Sequence, residues 1–252
     1  MKKAFTLSEV LLTMSIIGIV AAMTMPGIVI HYHQQEYVSQ LAKALSQYEQ
    51  AMQNIMFRHE CTDIICTGLY NDSSEWNTKF DEEIKKSIKI TKIAPVGTAM
   101  NTEIKSKALK PRDTFIESNI DWRSTSGYKF MTPDGVMYVV EPKGCNKVAY
   151  DSKSTLTNIC AEITIDVNSE RRPNQYGRDI FKFVAGQNGH LYPMYGLDYT
   201  KANSGTTTGD NYWRSNENLC GAADKNLNQS AANISGYGCA SRIMENGWKM
   251  NY

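Results

Sequence analysis

Between Val10 and Ile30 the chain carries 21 consecutive residues without a formal charge, and nearly all are apolar. As a helix at ~1.5 Å per residue this block extends ~31 Å, about the hydrocarbon thickness of a bilayer. Polar residues enter after Pro26 and Gly27, but the apolar positions keep a helical period. Val38, Leu41, Leu45, Tyr48, Met52 and Ile55 follow one another at spacings of three and four, the seam of a helix packed along one side. The pattern predicts one helix from about Phe5 to Arg58, ~80 Å long, apolar all round in its first half and amphipathic in its second. Pro26 removes one backbone hydrogen bond and is expected to bend or loosen it. The seam suits either a two-stranded coiled coil or packing on the chain's own domain; the second is expected because a globular stretch follows directly.

Downstream the period changes. Trp76, Phe80, Ile84 and Ile88 share one face of a helix predicted from Ser74 to Ile88, with Asp81, Glu82, Glu83, Lys85 and Lys86 beside it. The stretch from Thr91 to Gly127, broken by Pro95, Gly97 and Pro111, reads as loops with room for one short helix. Alternation then takes over. Lys129 to Thr132 and Val136 to Val140 flank the turn Pro133-Asp134-Gly135, and Ile180 to Ala185 and His190 to Tyr195 flank Gln187-Asn188-Gly189. Ile159, Ala161, Ile163, Ile165 and Val167 alternate with Cys160, Glu162, Thr164 and Asp166, a strand with one buried face. Hairpins without helical crossovers argue for an antiparallel sheet of about four strands, and with the long helix the fold class is α+β. A Gly-, Asn- and Ser-rich tail begins at Asp198; Cys239 to Glu245 predicts a short helix stopped at Asn246-Gly247, with Trp248 and Tyr252 packing back.

Composition and charge narrow the picture. With 27 basic and 26 acidic residues the net charge is +1, which offers no basic surface for nucleic acid. Lys2 and Lys3 precede the apolar block and the next Lys or Arg is Lys43, so the positive-inside rule places the head in the cytoplasm and the remainder outside. In an exported domain, six cysteines read as a disulfide framework. Fifteen pairings are open. The local set Cys61 with Cys66, Cys145 with Cys160 and Cys220 with Cys239 is expected, since each closes a loop within one apparent unit. The absence of CxxC and the scatter of the four histidines argue against zinc. There is no GxSxG, HExxH or P-loop, and His190 stands alone beside a turn, so no enzyme is expected.

The sharpest signal is at the head. A short basic leader, Met1 to Ala4, is followed by Phe5-Thr6-Leu7-Ser8-Glu9 and then the apolar block. A carboxylate at the head of such a block needs a partner or a role. This order resembles the leader of type IV prepilins and type II secretion pseudopilins, with Ala4 where glycine is usual and Ser8 where an aliphatic residue is usual. The resemblance implies a cut between Ala4 and Phe5 by a prepilin peptidase, N-methylation of Phe5, and a pilin-like fold with a disulfide-pinned C-terminal region. It implies an inner-membrane assembly platform as partner and a homo- or hetero-oligomeric filament in which Glu9 pairs with the α-ammonium of Phe5. It also makes Pro26 a place where the helix kinks or melts in filaments. The organisation expected is a leader at 1–4, a membrane and filament-core helix at 5–30, its amphipathic continuation at 31–58, and an exported domain at 59–252. The expected function is that of a structural subunit of a secretion pseudopilus or related type IV filament. The alternatives are a surface pilin for adhesion, motility or DNA uptake, and a monomeric membrane-anchored binding protein.

One further cluster stands out. Asp166, Asn168 and Asp179, with Asn174 and Gly177 between them, concentrate oxygen donors in one inter-strand loop, the chemistry a hard cation requires. Major pseudopilins carry a calcium-stabilised loop near the sheet, and the resemblance makes calcium a candidate here.

Overall fold

The computed structural model describes residues 6–70, 75–107, 109, 117–118, 124–147, 159–194, 220 and 236–252. Ala4, Phe5 and the segment Gly205 to Gly209 lie outside them. Backbone contacts divide the chain into two units, Met1–Glu36 and Tyr37–Tyr252.

Helix α1, Leu7–Arg58, runs through Pro26 without a break. A proline carried by a helix loses one backbone bond yet need not end it. Within the second unit the predicted seam is buried from Val38 to Met56, with Leu41, Tyr48, Met52 and Ile55 wholly inaccessible. The helix ends in a Schellman arrangement. The N–H of Cys61 donates to the Met56 carbonyl at 2.9 Å and that of Glu60 to the Phe57 carbonyl at 3.1 Å, with Glu60 left-handed at φ 53°. Helix α2, Trp76–Ser87, buries Trp76, Phe80 and Ile84 as its period predicts.

The sheet has six strands, all antiparallel neighbours, in the order β1-β4-β5-β6-β7-β8. They are β1 Lys92–Ala94, β4 Tyr128–Met131, β5 Met137–Lys147, β6 Ile159–Asp166, β7 Ile180–Ala185 and β8 Leu191–Pro193. A second, two-stranded sheet joins β2 Ser106–Lys107 to β3 Glu117–Ser118. The α+β, pilin-like architecture is therefore present, with more strands than the expected four. The additions β1, β2 and β3 lie in the stretch read as loops, where the described residues contain no helix. A strand of two or three residues has no period to display. Only pairing with a distant partner makes it one, as when Ile93 sits opposite Phe130.

Register lines up one apolar row across the sheet, Tyr138 opposite Ile165 opposite Phe181, and a second, Val140 opposite Ile163 opposite Phe183. These rows face α1: the Tyr138 hydroxyl donates to the Ala44 carbonyl at 3.0 Å and its ring stacks on Tyr48 at 5.7 Å between centroids. The alternation in β6 predicts one buried face, yet both are covered. On the other face lies the row Val139, Thr164 and Lys182, where the Lys182 ammonium stands 4.8 Å from the Tyr237 ring centre. Ala94 and Met100 cover Val139, and Tyr176 and Tyr237 cover the β7 end; helix α3, Cys239–Glu245, follows Tyr237. Tyr252 packs back, its hydroxyl donating to the Gly177 carbonyl at 2.6 Å, whereas Trp248 stays exposed.

Three disulfides pin these parts: Cys61–Cys66 behind α1, Cys145–Cys160 between β5 and β6, and Cys220–Cys239 at the start of α3. A Cβ on Gly177, at φ 78°, would stand 2.5 Å from the Cys239 sulfur, so only glycine fits. The β7–β8 hairpin tip docks on α1. Gln53 donates to the Asn188 carbonyl at 2.9 Å, and Glu49 accepts the Leu191 N–H at 2.8 Å.

Candidate functional site

In the first unit the head of α1 is built by Thr6 and Glu9. The Glu9 N–H donates to Thr6 Oγ1 at 3.3 Å, while Glu9 Oε2 accepts from both the Thr6 N–H and the Thr6 hydroxyl at 2.9 Å. This is a reciprocal capping box, which satisfies backbone donors that a helix start leaves orphaned. Only Oε2 is engaged; Glu9 Oε1 makes no bond among the described residues. Sequence reasoning singled out Glu9 for its charge and overlooked Thr6, although Thr-x-x-Glu ahead of an apolar run is the written signature of such a box.

Behind the box, α1 contains a membrane-length apolar segment none of whose residues is buried. Leu7, Leu12, Ile17, Met23 and Ile28 are each more than 60% exposed. Its hydroxyls are spent internally: Thr13 donates to the Val10 carbonyl, Ser15 to Leu11 and Thr24 to Val20, at 2.9 to 3.0 Å. With no polar group seeking water, the segment is compatible with lipid or with other helices. Where it ends, Gln35 bonds His31 at 3.1 Å, His33 bonds Glu36 at 3.2 Å and Tyr32 is exposed, a polar and aromatic girdle of the kind found at a membrane boundary.

In the second unit the loop from β6 to β7 brings Asp166, Asn168 and Asp179 together. Both carboxylates are wholly inaccessible. Asp166 accepts the N–H of Asn168 at 3.2 Å and of Ser169 at 2.8 Å; Asp179 accepts the N–H of Asn174 at 2.7 Å and of Gln175 at 2.6 Å. The Asn168 amide donates to the Arg172 carbonyl and to the Tyr37 hydroxyl, each at 3.4 Å, leaving its own oxygen buried without a donor. Burial pushes the Asp179 carboxyl up to about 6, against the hydrogen bonds that favour its charged form. For calcium the donor set fits in kind, all oxygen, and falls short in number: two carboxylates, each already serving loop amides, and one free amide oxygen against the six to eight required. No cluster of three or more His, Cys, Asp or Glu placed to hold a metal occurs among the described residues. The carboxylates act first as internal caps of the loop.

The other residues weighed in the sequence stay apart. His190 is exposed at 3.4 Å from Glu49, and His31 and His33 pair with separate neighbours.

Comparison of the chain with curated proteins and with solved structures returns no match. Residues 1–25 match the family model described as the prokaryotic N-terminal methylation motif. That segment includes the capping box and most of the apolar block, so this chain carries at its head the signature of type IV pilins and pseudopilins.

Proposed function

We propose that the chain is a pilin-like structural subunit, cut between Ala4 and Phe5 by a prepilin peptidase and methylated on Phe5. The apolar half of α1 holds it in the bacterial inner membrane, and an assembly platform then packs it through that helix into a type II secretion pseudopilus or a related type IV filament. The observation that carries this reading is the coincidence of the methylation motif with a helix apolar on every side and uncovered. Such a surface requires a non-aqueous cover, which a bilayer supplies before assembly and neighbouring helices supply after it. Glu9 enters that setting with one oxygen holding its own helix start and the other open to a cation, for which the α-ammonium of a neighbour's Phe5 is the matching group.

The test is the intact mass and N-terminal sequence of the mature protein. A chain beginning with methylated Phe5 supports the reading; an intact Met1, or a cut after Ala22, overturns it.

A further inference from the structure

The second unit carries an exposed projection and an open groove of matching chemistry. The projection is the stop of α1. Phe57 is 85% exposed, the most exposed large apolar residue described in this unit. Three residues on, Glu60 occupies the left-handed position at which a helix stop ordinarily takes glycine, and its exposed carboxylate has no partner among the described residues. A strained non-glycine residue at such a point is an observation from which function can be inferred.

The groove, of about 370 Å³, lies between α1, the end of α2 and the β4–β5 turn. Ala51 and Ile88, both buried, form its apolar floor, and Gln47, Gln50 and Asn54 line the α1 side. Lys43 at its edge is already paired with Asp134 at 2.7 Å. Lys89 is the cation left without a partner among the described residues that line it. Gln47 Oε1 is buried with no donor. A buried acceptor of this kind calls for a partner.

We propose that the Phe57–Glu60 projection of one copy seats in this groove of the next copy, the ring against Ala51 and Ile88 and the Glu60 carboxylate on the Lys89 ammonium. The inference rests on the filament reading above and names a contact within it. Projection and groove are different patches, so the contact is heterologous and propagates as an open stack rather than closing into a dimer. Phe57 lies seven residues beyond Gln50 on α1, ~10 Å at ~1.5 Å per residue and on the same side of the helix as the groove's α1 wall, so seating it in the groove takes a rotation of the neighbouring copy together with a displacement of ~10 Å along the axis. A net charge of +1 opposes such stacking little.

The test uses full-length protein in cells that assemble it, with filaments sheared and counted by electron microscopy. Glu60→Lys alone and Lys89→Glu alone are each expected to lower filament yield about tenfold, and the two together to restore it, as for a close interfacial charge pair. Independently, a Glu60→Cys/Lys89→Cys double variant, in a chain whose six native cysteines are all paired, gives a ladder of oxidised multimers from filaments while neither single variant does. Single reversals that leave yield unchanged, a swap that fails to restore it while both singles still insert, or filaments without a ladder overturn the contact and leave the filament reading standing. Wild-type protein that is processed and inserted yet never assembles overturns both.

Discussion

Asp179 gives the chain a pH dependence that can be worked out before it is measured. Its carboxyl is wholly buried and its pKa is raised from 3.8 to about 6, chiefly by burial. The folded chain therefore holds a proton between these values that the unfolded chain has released. Stability contributed by this group is fully present below about pH 4, falls as pH rises through about 6, and levels off above. A shift of about two units corresponds to ~3 kcal/mol, which for a domain of this size is ~6–12 °C in Tm. Glu83 acts in the opposite sense. Burial raises its pKa, but the bonds to Arg58 and Lys86 prevail and bring it down to about 2, so its contribution is lost only below about pH 4.5. The clean window is about pH 4.5 to 6.5. Asp179→Asn removes the titration, keeps one acceptor for the two N–H groups of Asn174 and Gln175, and leaves the other unmet at ~1–3 kcal/mol. The variant should melt below wild type at pH 4.5, close to it at pH 7, and show a flattened slope between. Thermal unfolding of the full-length protein in detergent, followed by circular dichroism, reads all three. A wild-type Tm that is flat or rises across the window, or a slope that survives in Asp179→Asn, refutes the reasoning. Calcium supplies a second arm: a cation on Asp166, Asn168 and Asp179 would raise Tm and erase the slope, and a Tm indifferent to added calcium at pH 7 retires that reading.

Two further outcomes are expected. Glu9→Gln can still close a capping box with Thr6 but carries no charge, whereas Glu9→Ala has neither; both should insert in the membrane and both should fail to assemble, and normal filaments from Glu9→Gln would reduce the residue to a helix cap. Leu41→Ala, at a position with no solvent exposure, should cost ~2–5 kcal/mol in the chemical denaturation of the protein without changing its processing; a loss under ~1 kcal/mol would mean that α1 does not pack as described.

What the sequence made legible was what repeats. The seam from Val38 to Ile55 keeps its period because one continuous face of α1 is buried, and β6 and β7 were visible because alternate residues meet that face. What it hid was decided by distant partners. Strand β1 exists because Ala94 meets Lys129, and Lys182 is buried because Tyr176 and Tyr237, far apart in the chain, close over it. The Thr6–Glu9 box is written locally, in a Thr-x-x-Glu spacing ahead of an apolar run. Asp166, Asn168 and Asp179 do meet, as their shared loop predicts, but their hydrogen-bond partners are backbone N–H groups that no composition reveals.

The docking of the β7–β8 hairpin on α1 also sets an order of events. Glu49 finds its partner 142 residues later at Leu191, and Tyr138 reaches Ala44 across 94 residues. Tyr70 and helix α2 can cover part of the Val38–Met56 face soon after it emerges, but the rest stays open until the sheet is made. Contacts this non-local make folding slow and leave apolar surface open to the wrong partner meanwhile. The amphipathic half of α1 is then the segment on which a chaperone would be needed, until the last hairpin arrives to close over it.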